Sequence, residues 1–303
     1  MTTDTGSIHH SGFVSIVGRP NVGKSTLMNH LLGQKISITS NKPQTTRHRI
    51  LGIKTEAGKQ VVYIDTPGLH LNPKSAMNRY MNRAASSGMD AVELVLFVVE
   101  VNHWTEEDAN VLTRLKQQST PVVLVVNKVD HVKDKEELLP LLQKLSAHMD
   151  FAAVVPLSAL KGQNVAQLEK LVFDALPEGE GIFPDDYITD RSERFLAAEM
   201  VREKLIRSLG QELPYATTVE IEQFKDDNGL LRISALIWVE RQSQKKIVIG
   251  KAGERLKQVG QQARIDMEKL FGQKVFLQCW VKVKEGWSDN ERLLNSLGYK
   301  DEF

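Results

Sequence analysis

Gly18-Arg-Pro-Asn-Val-Gly-Lys-Ser25 is the stretch that decides the fold. It follows a β-rich run at residues 12–17 and opens a stretch with helical spacing at 24–32, so a glycine-bearing loop joins a strand to a helix. Further β-rich runs at 49–54, 61–65, 92–99, 122–127 and 153–157 alternate with helical stretches at 74–87, 105–118, 135–148 and 165–175. That alternation predicts an α/β domain, a mostly parallel sheet covered by helices. The runs at 49–54 and 61–65 flank Glu56-Ala57-Gly58-Lys59, a hairpin signal that makes one edge antiparallel. Four strand ends carry unusual polar residues, at 18–25, 65–68, 127–130 and 158–160. Open α/β sheets bind ligands at the carboxyl ends of their strands, so these segments are expected to converge.

The chain has 303 residues, 41% hydrophobic and 25% charged, which excludes disorder, collagen-like repeats and coiled coil as overall descriptions and suggests two domains. Its longest nearly apolar runs, at 92–99 and 121–126, fall far short of the ~18 residues of a membrane span. The polar stretch 1–12 lacks a secretory apolar core. Cys279 is the sole cysteine, so no intrachain disulfide forms, and a reducing cytoplasm is the expected location. Formal net charge is +1, yet residues 241–284 hold eleven Lys or Arg against Glu254, Asp266 and Glu268. A basic last third on a mildly acidic remainder suggests a polyanion partner, with a solvated basic surface as the plain alternative.

Residues 177–184 read as a linker. Beyond it, a helical stretch at 191–209 is followed by alternating runs at 215–224 and 230–241 joined through Asp226-Asp227-Asn228-Gly229, another hairpin. A helix-prone stretch breaks at Gly250-Lys-Ala-Gly253 and resumes to 270, and a third strand spans 275–284. Ser288-Asp-Asn-Glu291 resembles a capping box for a short last helix. The order is α-β-β-α-α-β. The expected division is 10–176, a linker at 177–190, 191–287, and a tail at 288–303. Trp280 and Phe276 fall on the strand face opposite Cys279 and are expected to pack beneath helices rather than stack on bases.

The first motif fits the phosphate-loop pattern G-x-x-x-x-G-K-S in the context that pattern requires. Gly18 and Gly23 let backbone N–H groups face phosphates, Lys24 adds a point charge near them, and Ser25 can ligate Mg²⁺. Asp65-Thr-Pro-Gly68 ends a strand, where a carboxylate can reach Mg²⁺ through water and the Gly68 N–H can meet a γ-phosphate. Asn127-Lys-Val-Asp130 selects the base. Guanine offers two donors, N1–H and its 2-amino group, to the two acceptor oxygens of Asp130, whereas adenine offers neither. Such a site rejects the wrong base by roughly 10⁴-fold. Ser158-Ala-Leu160 is expected to support the purine. The segments in this order point to GTP rather than ATP.

These residues resemble the Era family of translation-factor-class GTPases, and Gly250-Lys-Ala-Gly253 in its α-β-β-α-α-β setting resembles the type II KH RNA-binding module. The resemblance covers nearly the whole chain. It implies a P-loop GTPase domain and a smaller α+β KH domain, and a GTP/GDP site of Gly18, Asn21, Val22, Gly23, Lys24, Ser25, Thr26, Asp65, Gly68, Asn127, Lys128, Asp130, Ser158, Ala159 and Leu160. It also implies Mg²⁺ at Ser25, Asp65 and a threonine of Gln44-Thr-Thr-Arg47, with Thr46 preferred and Thr45 a competitor. Lys24, Thr46, Gly68 and Asn21 are the expected catalytic group. The position after Gly68, where some GTPases place a water-orienting glutamine, is Leu69, a departure this family shares. Asn21 in related GTPases holds a K⁺ ion beside the phosphates, which would stand in for an arginine finger. Arg19, Arg47 and His70 are near enough in the chain to be considered for hydrolysis, but the arginines read as surface or RNA-facing residues and His70 as an exposed loop histidine.

KH domains clamp about four nucleotides with the G-x-x-G loop at the backbone. Lys245, Lys246, Lys251, Arg255 and Lys257 bracket Gly250, Ala252 and Gly253, and the run 247–249 is a candidate groove lining. By resemblance, the partner is small-subunit (16S) ribosomal RNA in the 30S subunit, the role is late subunit assembly and rRNA processing, and the chain is a monomer. Peripheral inner-membrane association and a cell-cycle link also come from the resemblance alone. The competing reading is an RNA-binding assembly module with a largely structural nucleotide site. A tandem-domain or tRNA-modifying relative is disfavoured by the single GTPase unit.

Overall fold

A computed structural model of the chain describes residues 9–42, 44–68, 75–87, 91–210, 216–297 and 299. Strands β1 (His10–Val17), β2 (Ile50–Glu56), β3 (Lys59–Asp65), β4 (Leu94–Glu100), β5 (Val122–Asn127) and β6 (Ala153–Pro156) form one sheet in the order β2-β3-β1-β4-β5-β6. All are parallel except β2, which pairs antiparallel with β3 as the hairpin signal requires. Helices α1 (Lys24–Leu32), α2 (Ala76–Ser87), α3 (Glu106–Leu115), α4 (Leu138–Ser146) and α5 (Val165–Asp174) accompany them. Side chains alternate across a strand, so these near-continuous apolar strands need cover on both faces. Val14, Ile16, Leu96 and Val125 pack with Leu27 of α1 and Leu168 of α5, while Val17, Phe97, Val99 and Leu124 pack with Val111 of α3 and Leu145 of α4. Strand order reverses at β1, which lies between β3 and β4, and the phosphate loop leaves its carboxyl end.

The second unit contains α6 (Glu193–Ser208), β7 (Thr217–Asp227), β8 (Leu230–Val239), α7 (Gln242–Ile249), α8 (Glu254–Phe271) and β9 (Lys274–Val283), in the expected order. Its sheet runs β7-β8-β9, antiparallel then parallel. Ala197, Val201 and Leu205 of α6, with Val259, Ala263 and Met267 of α8, cover the face bearing Ile233, Ile237, Val275 and Val281. Leu277 and Cys279 share that face. Phe276 and Trp280 therefore do not pack beneath the helices; they stand on the opposite face, where Phe276 is 43% exposed. The covered face is the wholly apolar one, Val275, Leu277, Cys279 and Val281, while Phe276 and Trp280 share theirs with Lys274, Gln278 and Lys282.

Ser288 does not cap α9 (Glu291–Ser296). It lies in a 3₁₀ turn, Trp287–Asp289, and donates to Glu240 Oε1 at 2.5 Å, while Asn290 accepts from the N–H groups of Arg292 and Leu293. The segment from Trp287 to Tyr299 packs Trp287, Leu294 and Tyr299 on Ala76, Met77, Tyr80 and Met81 of α2, joining the end of the chain to the first sheet's helix. Residues 177–190 lie along the first sheet rather than bridging open space. The Gln60 side chain accepts from Ile182 N and Phe183 N, Ile53 N donates to Ile188 O, and Leu51 N donates to Asp190. Among the described residues no helix is long and apolar enough to cross a membrane.

Candidate functional site

The carboxyl ends of β1, β3, β5 and β6 open into one cavity of about 500 Å³. Asn21, Gly23, Lys24, Ser25, Thr26, Thr45, Thr46, Gly68, Asn127, Lys128, Asp130, Ser158, Ala159 and Leu160 line it. Gly18, Val22 and Asp65 stand behind that lining. Gly18 is needed for close approach, since a Cβ there would lie 2.4 Å from the Val98 carbonyl oxygen. A Cβ on Gly23 (φ 102°) would lie 2.3 Å from Asn127 Nδ2. That contact is the tie between loops: Asn127 Nδ2 donates to Val22 O at 2.7 Å, and its Oδ1 accepts from Lys128 N at 2.8 Å and Ala159 N at 2.9 Å. One buried amide thus holds the phosphate loop, the base-reading loop and the 158–160 segment in register. Gly68 packs directly on Pro20.

Lys24 Nζ donates to the carbonyls of Gly18 and Arg19, both at 2.9 Å, and burial lowers its pKa to about 8 against the opposing pull of Asp65. Ser25 Oγ lies 2.7 Å from Asp65 Oδ2 and 2.8 Å from Thr46 Oγ1, and Ser37 donates to the same Asp65 oxygen at 2.8 Å. Asp65 Oδ1 is buried with no protein partner, and burial raises the carboxyl's pKa. A buried carboxylate with one orphan oxygen beside two converging hydroxyls fits a hard, oxygen-seeking divalent cation. Thr45 takes no part: its Oγ1 is 2.6 Å from both Ser40 Oγ and Lys42 O. Asp130 is held ionised chiefly by the Ser158 hydroxyl, its pKa lowered, with Lys161 Nζ 3.9 Å away.

Arg19 and Arg47 are buried, neither surface nor RNA-facing. Arg19 turns from the cavity to Asp108 and Glu100, each at 3.0 Å. Arg47 donates to Thr217 O at 2.9 Å and Tyr299 OH at 3.2 Å, reaching across to β7 and the tail. Leu69 and His70 lie outside the described residues. Sequence reasoning missed Arg207 of α6, which also lines the cavity and donates to Thr39 O at 2.8 Å. It missed Arg202 as well, which is forked on Glu199 at 2.7 and 2.6 Å and donates to Thr45 O. No local pattern marks residues that meet from some 160 positions apart.

A second cavity follows Gly253 along α8, lined by Leu256, Lys257, Gly260, Gln261, Arg264, Leu277 and Cys279. Gly250 (φ 78°), Ala252 (φ 49°) and Gly253 (φ 80°) give its mouth a left-handed turn, with Lys251 and Ala252 exposed at the tip. Lys246 and Lys257 are exposed, Lys245 half-buried, and Arg255 donates back to Ile247 O. Of the run 247–249, Val248 is core, Ile249 packs against that core and Ile247 is exposed, and none of the three is among the residues lining this cavity.

Residues 13–128 match the family model described as 50S ribosome-binding GTPase, and residues 212–288 match that of the KH domain. GTPase Era of Pasteurella multocida is 58% identical over 294 residues, covering 97% of this chain and 96% of its own length. GTPase Era of Pseudomonas aeruginosa is 61% identical over 290 residues, covering 96% and 95%. The chain belongs to the GTPase Era family. It is a GTPase with a C-terminal KH domain. Among solved structures, an Aquifex aeolicus Era variant bound to GDP·AlF₄⁻ superposes on this Era-family chain with TM-score 0.92 and 38% identity, covering 96% of this chain and 99% of that one. Era in complex with MgGDPNP and nucleotides 1506–1542 of 16S ribosomal RNA matches with the same values.

Proposed function

We propose that this Era-family GTPase is a GTP/GDP switch acting on small-subunit ribosomal RNA during late assembly and processing of the 30S subunit. Residues 10–176 would form the switch and 191–287 the RNA-binding domain, with 177–190 the linker between them and 288–303 a C-terminal helix and tail. The observation that carries the reading is the composition of the cavity. Its wall combines the phosphate loop, Thr46, Gly68 and the guanine-selecting loop with Arg207 of the KH domain's first helix. Nucleotide state can then reach the RNA-binding half through Thr39, Thr45 and Arg47, which hydrogen-bond to Arg207, Arg202 and Thr217.

Ser25, Thr46 and Asp65 would hold Mg²⁺, which neutralises phosphate charge when bound. Thr46 is the preferred threonine because its hydroxyl already meets Ser25, whereas Thr45 is spent on its own loop. Lys24 supplies positive charge at the phosphates. Gly68, free of a side chain where Pro20 abuts it, presents its N–H. Asp130 reads the base. Asn21, exposed at the cavity rim with φ 66°, would hold K⁺ to complete charge compensation that neither Arg19 nor Arg47 can supply. Any contact with the inner membrane would be electrostatic, through the basic KH surface, and sensitive to salt.

Phosphate release from GTP tests this, with Lys24→Ala as the inactive control. Turnover on the order of 10⁻⁴–10⁻² s⁻¹, higher in K⁺ than in Na⁺ buffer, is expected. Equal rates in the two salts would remove the K⁺ assignment. Wild-type phosphate release no faster than that of Lys24→Ala would mean a purely structural nucleotide site.

A further inference from the structure

The open face of the KH sheet is the part of the molecule that the fold and the nucleotide site leave unexplained. Strand β9 is an edge strand, paired only with β8 among the described residues. Its odd-numbered positions Leu277 and Cys279 floor the groove that follows the G-x-x-G loop. Its even-numbered positions Phe276 and Trp280 face the other way, and β8 sets Arg232 beside Phe276 and Trp238 beside Lys282. The Arg232 guanidinium stands 5.4 Å from the Phe276 ring centroid, and Lys282 and Lys284 stand 6.0 and 5.3 Å from the Trp238 ring. The acids beside these groups are engaged: Glu220 accepts from Trp238 Nε1 at 2.8 Å, Glu222 pairs with Lys282 at 3.4 Å, and Asp227 accepts from Arg232 Nε at 2.8 Å, which fixes the guanidinium near the Phe276 ring.

Aromatic rings interleaved with cations on an open sheet are what single-stranded RNA uses as a stacking platform, bases on rings and guanidinium planes, phosphates on lysines. Phe276 is 43% exposed with the Arg232 guanidinium over its ring, so both planes are available at the surface of this face. We propose that RNA leaving the KH groove folds over the β9 edge and stacks on this outer face, so that one strand serves the same RNA on both sides. The proposal rests on the KH groove binding RNA, and extends it from about four nucleotides to a longer path.

The test uses the full chain with a GTP analogue, the RNA of nucleotides 1506–1542, and pieces of about five nucleotides tiling it, near the span one KH groove clamps. The double variant Arg232→Ala/Phe276→Ala alters exposed side chains, and its thermal unfolding and GTP affinity provide the folding control. It is expected to lose about tenfold or more in affinity for the long RNA while binding the best short piece as wild type does. Phe276→Trp, which keeps an aromatic surface, is expected to retain the long-RNA affinity. Lys251→Asp/Ala252→Asp reports on the groove alone through the short piece, so failure of the groove and failure of the outer face are read separately. Unchanged long-RNA affinity in the double variant overturns the proposal, and is the result expected if this face receives a protein instead. An equal loss on short and long RNA overturns it too.

Discussion

Lowering the pH from 7 to 5 should loosen the junction between the two domains through a single group, His48. Its ring is buried among Phe195 of α6, Tyr80 of α2 and Tyr299 of the tail, with centroids 5.1, 5.8 and 4.6 Å away, and Nδ1 lies 3.1 Å from the Tyr80 hydroxyl. Burial, reinforced by Arg202, Arg191 and Arg47 and opposed by Glu199, lowers its pKa from 6.5 to about 3. The sign follows from which state binds the proton. At pH 5 the unfolded imidazole is protonated and the folded one is not, so stability falls as pH drops below 6.5 and keeps falling toward 3. Integrated between pH 7 and 5, the loss is about 2 kcal/mol. Carboxylates held below their ordinary pKa of 4.5, such as Glu199 and Glu203, lose their contribution only below that value, outside this window. Urea unfolding of wild type and His48→Phe at pH 7 and 5 measures the difference. The wild type should lose about 2 kcal/mol more than the variant over this interval. Parallel losses in the two proteins would refute a neutral, buried His48.

Other outcomes follow from the same geometry. Arg202→Gln should destabilise the chain by about 3 kcal/mol, the low end for breaking a buried pair because Arg47 remains near Glu199, and Glu199→Gln/Arg202→Gln should cost less than the single change in a denaturation cycle. Asn127→Ala leaves Val22 O, Lys128 N and Ala159 N without their shared partner, so GTP affinity measured by calorimetry should fall by about 10-fold or more. Thr46→Ala should weaken Mg²⁺-dependent binding of a GTP analogue far more than Thr45→Ala, read by fluorescent-nucleotide titration with and without Mg²⁺. Lys251→Asp/Ala252→Asp should abolish binding of short RNA and leave GTP affinity unchanged, as measured by anisotropy and calorimetry.

How far the sequence could be read depended on how local each signal was. Strands β1 to β6 and helix α1 declare themselves through period and flanking turn or polar residues, and so does the convergence of 18–25, 65–68, 127–130 and 158–160 at strand ends. Adjacent threonines leave Thr46 preferred with Thr45 a competitor, and what distinguishes them is three-dimensional: the Ser25 hydroxyl meets Thr46, while Thr45 bonds within its own loop. The expectation that Phe276 and Trp280 pack under helices weighs their rings alone, whereas Lys274, Gln278 and Lys282 share their face and the all-apolar Val275, Leu277, Cys279 and Val281 face is the one the helices cover. Ser288 looked like a cap because serine and glutamate stand three apart, yet Glu240 claims its hydroxyl. Arg202, Arg207 and the Arg47 contact to Thr217 join segments far apart in the chain, where periodicity and motif spacing carry no information.

Base selection probes most directly whether the four loops enclose one guanine nucleotide. Affinities of wild type and Asp130→Asn for GTP and xanthosine triphosphate should invert, because the xanthine C2 carbonyl accepts from an amide where the guanine 2-amino group needed a carboxylate. An unchanged preference for GTP in Asp130→Asn would contradict the account.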